Sequence, residues 1–270
     1  MPRVSPDLPP FSRTRFAWFM RYVTWYMRRH FHAVRLLSGE GTEPAFPDIG
    51  TAPVIFAANH PGWWDPLVFL WLARQLYPDR LSYGPIDAHA LGKYRFFETI
   101  GFIGIEPGTW RGSATFLRAA KAASTRADVI LWITAQGAFT DPRQRPLELR
   151  PGLGHAVAAG AGLVVPVAVE YPFWNERLPE ALVAFGKPLR INAASGRDPA
   201  EWTAVLAAEL TAVQDRLAAA AIARDPAAFI PLLAGRVGVG VAYDVIRRLG
   251  AWCRGETFDA SHGGEGAARP

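Results

Sequence analysis

The 270-residue sequence predicts an α/β fold: a mixed, largely parallel sheet flanked by helices, with an N-terminal amphipathic helical segment and a helical C-terminal region. Three observations carry that prediction. Short apolar runs of strand length alternate with stretches of helical spacing between residues 54 and 185. Helix-start chemistry stands where helices should begin, as at Asp65-Pro66 and Asp198-Pro199. Apolar residues also recur at helical intervals near both ends of the chain.

Residues 16–37, "FAWFMRYVTWYMRRHFHAVRLL", place Phe19, Val23, Tyr26, His30 and Val34 on one stripe. Arg21, Thr24, Arg28, His32 and Arg35 follow another. That spacing predicts an amphipathic helix, aromatic on one side and basic on the other. Such a helix suits packing on a domain. It equally suits a membrane interface, where Trp and Tyr settle at headgroup depth and Arg meets anionic lipid. Residues 39–52 are rich in Gly, Pro and Thr and read as a linker.

Strands are predicted over 54–58, 81–86, 102–105, 129–133, 163–169 and 182–185. Helices are predicted over 66–76, 91–99, 111–124 and 154–160. This alternation implies a sheet with helices packed on it. An alanine-rich helix is expected over 199–223, with Asp198 as N-cap and Pro199 at its first position. The closing "SHGGEGAARP" reads as a loose tail.

Composition narrows the function classes. Half of the residues are apolar and ten are tryptophan, enough for a sizeable core. The formal charge is +5, carried mostly by arginine, since Lys93, Lys121 and Lys187 are the only lysines. A mild positive balance favours anionic partners such as phospholipid surfaces or phosphorylated substrates. Cys253 is the single cysteine, which removes a disulfide framework and a thiolate metal cluster. The opening "MPRVSPDLPPFSRTR" has no apolar signal core. Arginines interrupt both of the most apolar long windows, 16–37 and 229–252, so no membrane-spanning helix is expected.

The stretch "NHPGWWDP", Asn59 to Pro66, holds the strongest chemical signal. It follows the apolar strand at 54–58. Pro61-Gly62 forces a turn, Asp65 is read as an N-cap, and Pro66 opens a helix. His60 therefore lies in a strand-to-helix turn, at the carboxyl edge where open α/β sheets place their ligands. On one continuous helix the two residues would stand roughly 140° apart. The turn can instead fold the carboxylate back onto the imidazole. An Asp held against one ring nitrogen fixes the tautomer and leaves the other nitrogen to take a proton from an alcohol.

"NHPGWWDP" resembles the His-x4-Asp block of glycerolipid acyltransferases of the lysophosphatidic acid acyltransferase type. Three further blocks extend the resemblance in order. They are "GFIGIEPG" at 101–108, "WITAQGAFTDPRQRPLELRPG" at 132–152 and "LVVPVAVEY" at 163–171. The resemblance implies that His60 is the general base and that Asp65 orients it. It implies a fatty acyl donor that is a thioester of coenzyme A or acyl carrier protein, with no resident cofactor. Glu106, Gln136 and Gly137 fall at block positions that meet substrate, and Arg111, Arg143 and Arg150 lie close by as further substrate-binding candidates. Trp63 and Trp64 are candidates to line the acyl channel.

The chain departs from that family at two places. Pro107 stands where the second block carries arginine. The third block, usually Pro-Glu-Gly-Thr-Arg, reads Ala135-Gln136-Gly137-Ala138-Phe139. Both arginines that grip an acceptor phosphate are missing from their places, so the acceptor is expected to be either a lysophospholipid or glycerol phosphate, or a glycolipid.

The resemblance divides the chain into a membrane-associating helical segment and linker at 1–45, a catalytic α/β domain at 46–195 and a helical region with a flexible tail at 196–270. Expected partners are a membrane lipid acceptor and acyl-CoA or acyl carrier protein, with no nucleic acid. The expected location is peripheral, on the cytoplasmic face of the cell membrane. The alternative is a catalytically weak or inactive membrane-surface binding protein on the same scaffold. Other classes lack their signatures. No Gly-x-Ser-x-Gly elbow occurs, "FGKPLR" is no phosphate loop, and His30 and His32 have no ligand-spaced partner for zinc.

Overall fold

The structure, a computed structural model, describes residues 7–39, 45–191 and 196–236. Helix α1 (Arg13–His30) and strand β1 (Ala33–Leu37) precede the central strand β2 (Val54–Ala58). Then come α2 (Asp65–Leu76), β3 (Leu81–Asp87), α3 (Ala88–Lys93), a 3-10 turn (Arg95–Ile100), β4 (Phe102–Ile105) and α4 (Trp110–Ala123). They are followed by β5 (Val129–Thr134), α5 (Pro151–Ala158), β6 (Gly162–Glu170), β7 (Glu180–Phe185) and β8 (Leu189–Ile191). Helix α6 (Pro199–Ala223) and strand β9 (Phe229–Ala234) complete the described residues.

The strands form one mixed sheet, in the order β4-β3-β5-β2-β6-β7-β1-β9, with β8 beside β6. Strands β2 to β6 run parallel to one another, whereas β7 and β8 lie antiparallel to β6 and β9 antiparallel to β1. Strand alternation sorts β2 between two layers. Val54, Phe56 and Ala58 enter the core under α1 and α2, while Ile55 and Ala57 enter the core under α4, α5 and α6. A strand covered on both faces reads as a continuous apolar run, which is why "VIFAA" is recognisable.

Most predicted elements are present within a residue or two. Helix α6 has the predicted bounds, and Asp198 closes a full capping box with Glu201. The helix expected over 91–99 is divided. Asp87 caps α3 by accepting from the N–H groups of His89 and Ala90, and the chain then continues as a 3-10 turn that ends at Gly101 (φ 104°). The C-terminal region also contains strand β9, where helix was expected throughout. The loose tail lies outside the described residues.

The N-terminal segment needs the larger correction. Helix α1 stops at His30, because Phe31 turns to extended backbone. Residues 33–37, expected to continue the helix, form β1 between β7 and β9, and all five are buried. Arg35 and His32, assigned to the basic stripe of the helix, meet the buried Glu180 of β7 instead. His32 Nδ1 lies 2.5 Å from Glu180 Oε1, and Arg35 Nε donates to Oε2 at 3.0 Å. On α1 the buried face is Phe16, Met20, Val23 and Met27, and Thr24 accepts from the Trp71 indole. The outward face carries aromatics and arginines together: Trp18, Tyr22 and Trp25 are exposed among Arg15, Arg21, Arg28 and Arg29.

The His32–Glu180 pair makes stability depend on pH. The hydrogen bond to Glu180 raises the His32 pKa above its ordinary value, against the opposing pull of burial. A folded-state pKa above the unfolded one stabilises fully at pH below the unfolded value, and the benefit is lost as pH rises through the folded value. Urea unfolding between about pH 5.5 and pH 9 should therefore show His32→Gln costing most at the acid end, with the cost shrinking as pH rises. A cost independent of pH would show that the pair does not titrate in this range.

Candidate active site

The turn after β2 is held by two side chains and a backbone tie. Asn59 is fully buried and clamps the end of β6: its Nδ2 donates to the Val169 carbonyl at 3.0 Å, and the Val169 N–H donates to its Oδ1 at 2.8 Å. Gln136, one residue beyond the β5 edge alanine, accepts the His60 N–H at 2.9 Å through Oε1. The His60 carbonyl accepts from Thr140 N–H at 2.9 Å. Gln136 thus positions the histidine's backbone, a role its block position did not suggest.

Asp65 is not an N-cap. Trp64 precedes α2 with helical dihedrals and no capping side chain, and Asp65 is the helix's first residue, with Pro66 behind it. Side chains in a first turn point back toward the N-terminus. The Asp65 carboxylate does so and folds onto the turn, where Oδ2 lies 2.6 Å from His60 Nδ1 and accepts from Gly62 N–H at 3.2 Å. Its other oxygen accepts from the Tyr171 hydroxyl at 2.6 Å. Asp65 is wholly buried, while the His60 side chain keeps 17% exposure. An ionised carboxylate only accepts, so Nδ1 carries the proton. Nε2 of the neutral ring is then left with a lone pair.

Tyr171 belongs to the site although only its strand was singled out from the sequence. Burial, and then the charge of Asp65, raise its pKa well above the ordinary tyrosine value, so it remains a donor. The available signal was its place just past the carboxyl end of β6, beside β2.

The other sequence candidates separate into near and distant groups. Gly137 (φ 64°) sits at the edge of β5, and a Cβ there would come within 2.9 Å of Arg150 Cγ. The Arg150 side chain packs against that glycine and makes no ion pair among the described residues. Arg143 Nε is tied to Glu170 Oε1 at 2.7 Å, and Arg145 is paired with Asp215 of α6. Phe139, at the family's arginine position, lays its ring against His60 at 4.6 Å between centroids.

Glu106 and Arg111 are not brought to His60. Glu106 directly follows β4 and Arg111 lies in the first turn of α4; both are exposed, and β4 lies three places from β2 in the sheet, roughly 14 Å at the usual strand spacing. Arg111 there lies over the Trp110 ring. Trp64 packs on Phe31 and Tyr26, whereas Trp63 is 62% exposed. The backbone N–H groups of His60, Gly62 and Gly137 are already engaged by Gln136, Asp65 and the Thr134 carbonyl. A cavity of about 420 Å³ lined by Phe46, Asp48, Tyr77 and Arg80 opens at the amino edge of the sheet, opposite the edge with His60. Among the described residues no group of three or more His, Cys, Asp or Glu side chains could hold a metal.

A family model described as Acyltransferase matches residues 39–170. The match runs from just after β1 to the last residue of β6, and includes the His60 turn, Asp65, Gln136 and Gly137. The chemistry this match supports for these residues is acyl transfer. No curated protein matches the chain.

Proposed function

We propose that this acyltransferase moves a fatty acyl group from a thioester of coenzyme A or acyl carrier protein to the hydroxyl of a membrane lipid, with His60 as general base and Asp65 orienting it. The observation that carries the reading is the 2.6 Å contact between His60 Nδ1 and a wholly buried Asp65 carboxylate. It fixes the tautomer and leaves Nε2 as the proton acceptor. The acceptor oxygen attacks the thioester carbonyl as its proton passes to Nε2. A carbon–oxygen bond forms, the carbon–sulfur bond of the tetrahedral intermediate breaks, and His60 returns the proton to the departing thiolate. The N–H groups of Ala138 and Phe139, beside the left-handed Gly137, make no hydrogen bond among the described residues and are the candidates for the oxyanion. Trp63, outward on the same turn, offers a surface for the acyl chain.

Between the acceptor classes, the site favours a neutral hydroxyl such as that of a glycolipid. Phosphate is held best by arginine forks. Phe139 occupies one family position, Arg143 and Arg145 are engaged in ion pairs, and Arg150 stands close with no ion pair to its guanidinium among the described residues. The outward face of α1 supports peripheral membrane binding. Trp18, Tyr22 and Trp25 are 70%, 51% and 54% exposed, with arginines on both sides, an arrangement suited to anionic headgroups. No described helix is long and apolar enough to cross a membrane.

One experiment addresses donor, acceptor and surface together. Purified protein meets one acyl group, carried on coenzyme A in one arm and on acyl carrier protein in the other, with equal amounts of lysophosphatidic acid and neutral glycolipid on anionic vesicles. Thiol release with acylated glycolipid as the main product is the expected result, with vesicle co-sedimentation weakened by Trp18→Ala and Trp25→Ala together. Deleting residues 1–38 is unsuited to that purpose, because it would also remove β1 from the sheet. A preference for lysophosphatidic acid abolished by Arg150→Ala would reverse the acceptor assignment. Vesicle binding without thiol release from either thioester class would favour the inactive surface-binding protein.

A further inference from the structure

The Asp65 carboxylate is held at both oxygens. Oδ2 faces the His60 ring and Gly62 N–H, and Oδ1 faces the Tyr171 hydroxyl at 2.6 Å. A carboxylate bonded at one oxygen can pivot about its terminal torsion, which is broad and soft. Donors on both oxygens remove that freedom. The third donor comes from a different element. Tyr171 follows β6, and Asn59 locks the register of that strand by gripping Val169, two residues earlier. The ring of Tyr171 also rests on Phe31 at 5.7 Å between centroids. The hydroxyl therefore reaches Asp65 from a fixed point in the sheet.

We propose that Tyr171 is a positioning residue for the His60–Asp65 pair, and that its hydroxyl both orients the carboxylate and draws off part of its negative charge. The inference rests on the reading of His60 as general base. A buried carboxylate with one free oxygen would be more mobile and a stronger acceptor for the imidazole Nδ1–H. Tyr171 exchanges no proton in the reaction. It acts by setting how firmly Asp65 holds the ring and the charge that develops on it.

The test is Tyr171→Phe in the full-length chain. Removing one charge-assisted hydrogen bond should lower kcat roughly 10-fold with KM unchanged. The acid limb of the kcat/KM profile should move to higher pH, because a carboxylate freed of Tyr171 holds the protonated ring more strongly. Fluorotyrosine at position 171, isosteric and a stronger donor, should move the limb the other way while preserving the fold. Parental kcat and an unmoved limb in Tyr171→Phe, or a change confined to KM, would overturn the proposal. A second readout needs no substrate. The proton resonance of His60 Nδ1–H, assigned by its loss in His60→Ala, should move downfield in Tyr171→Phe, and an unmoved resonance in a folded variant would overturn the proposal as well. If the parent protein turns over no thioester, the assigned function fails, and the resonance still reports on Tyr171.

Discussion

His60→Ala is expected to lower thioester turnover by roughly 10²–10⁴-fold, the usual size of general-base catalysis. The magnitude follows from what remains at the turn. His60 is the one histidine in the stretch from Asn59 to Pro66, Asp65 is wholly buried behind the ring, and Tyr171 stays protonated as a donor. The fold should survive. The backbone ties that shape the turn, His60 N–H to Gln136 and His60 carbonyl to Thr140 N–H, involve no imidazole atom. The buried carboxylate keeps Gly62 N–H and the Tyr171 hydroxyl as donors after the ring is lost. The measurement is kcat by thiol release beside thermal unfolding of the same preparation. Turnover within a few-fold of the parent, in a folded variant, would remove His60 from the mechanism.

The parts of this site that sequence revealed are the local ones. Strand β2, the Pro61-Gly62 break and the start of α2 lie within some twenty residues, and their hydrophobic pattern and turn chemistry place the His60 imidazole and Asp65 carboxylate face to face. The same holds for α6, whose cap and first proline are adjacent in the chain. What sequence concealed depends on distant partners. "AVRLL" continues the helical spacing of α1 as well as it suits a strand, and only pairing with β7, some 145 residues away, decides in favour of β1. Tyr171 meets Asp65 across 106 residues of chain. Gln136 occupies the place of a substrate-binding glutamate, and its hold on His60 N–H becomes visible only when β5 lies beside β2. The N-cap reading of Asp65 failed for a different reason. Asp before Pro is a strong capping signal, but here the carboxylate is drawn to an imidazole and two further donors that compete for it.

Asp65→Asn should reduce kcat by about 100-fold with little loss of stability, and the donors around the side chain give the reason. In a His-Asp pair the amide variant is most harmful when its NH2 group turns to the imidazole and forces the wrong tautomer, a loss of roughly 10⁴-fold in the serine protease triad. Here two N–H groups converge on the position of Oδ2, those of His60 Nδ1 and Gly62. The amide oxygen should therefore occupy that position. The NH2 group is then left facing Tyr171, whose hydroxyl can accept as well as donate. The tautomer is kept, every buried polar group retains a partner, and the loss comes from the missing charge, which no longer stabilises the imidazolium formed as the acceptor proton is taken up. Asp65→Ala should be worse in both respects, because it strands the ring N–H, the Gly62 N–H and the Tyr171 hydroxyl together. Comparing the two variants by kcat and by urea unfolding separates charge from hydrogen bonding. If Asp65→Asn loses as much stability as Asp65→Ala, the amide has not taken the arrangement argued here. If it keeps parental kcat, the carboxylate charge has no part in the chemistry.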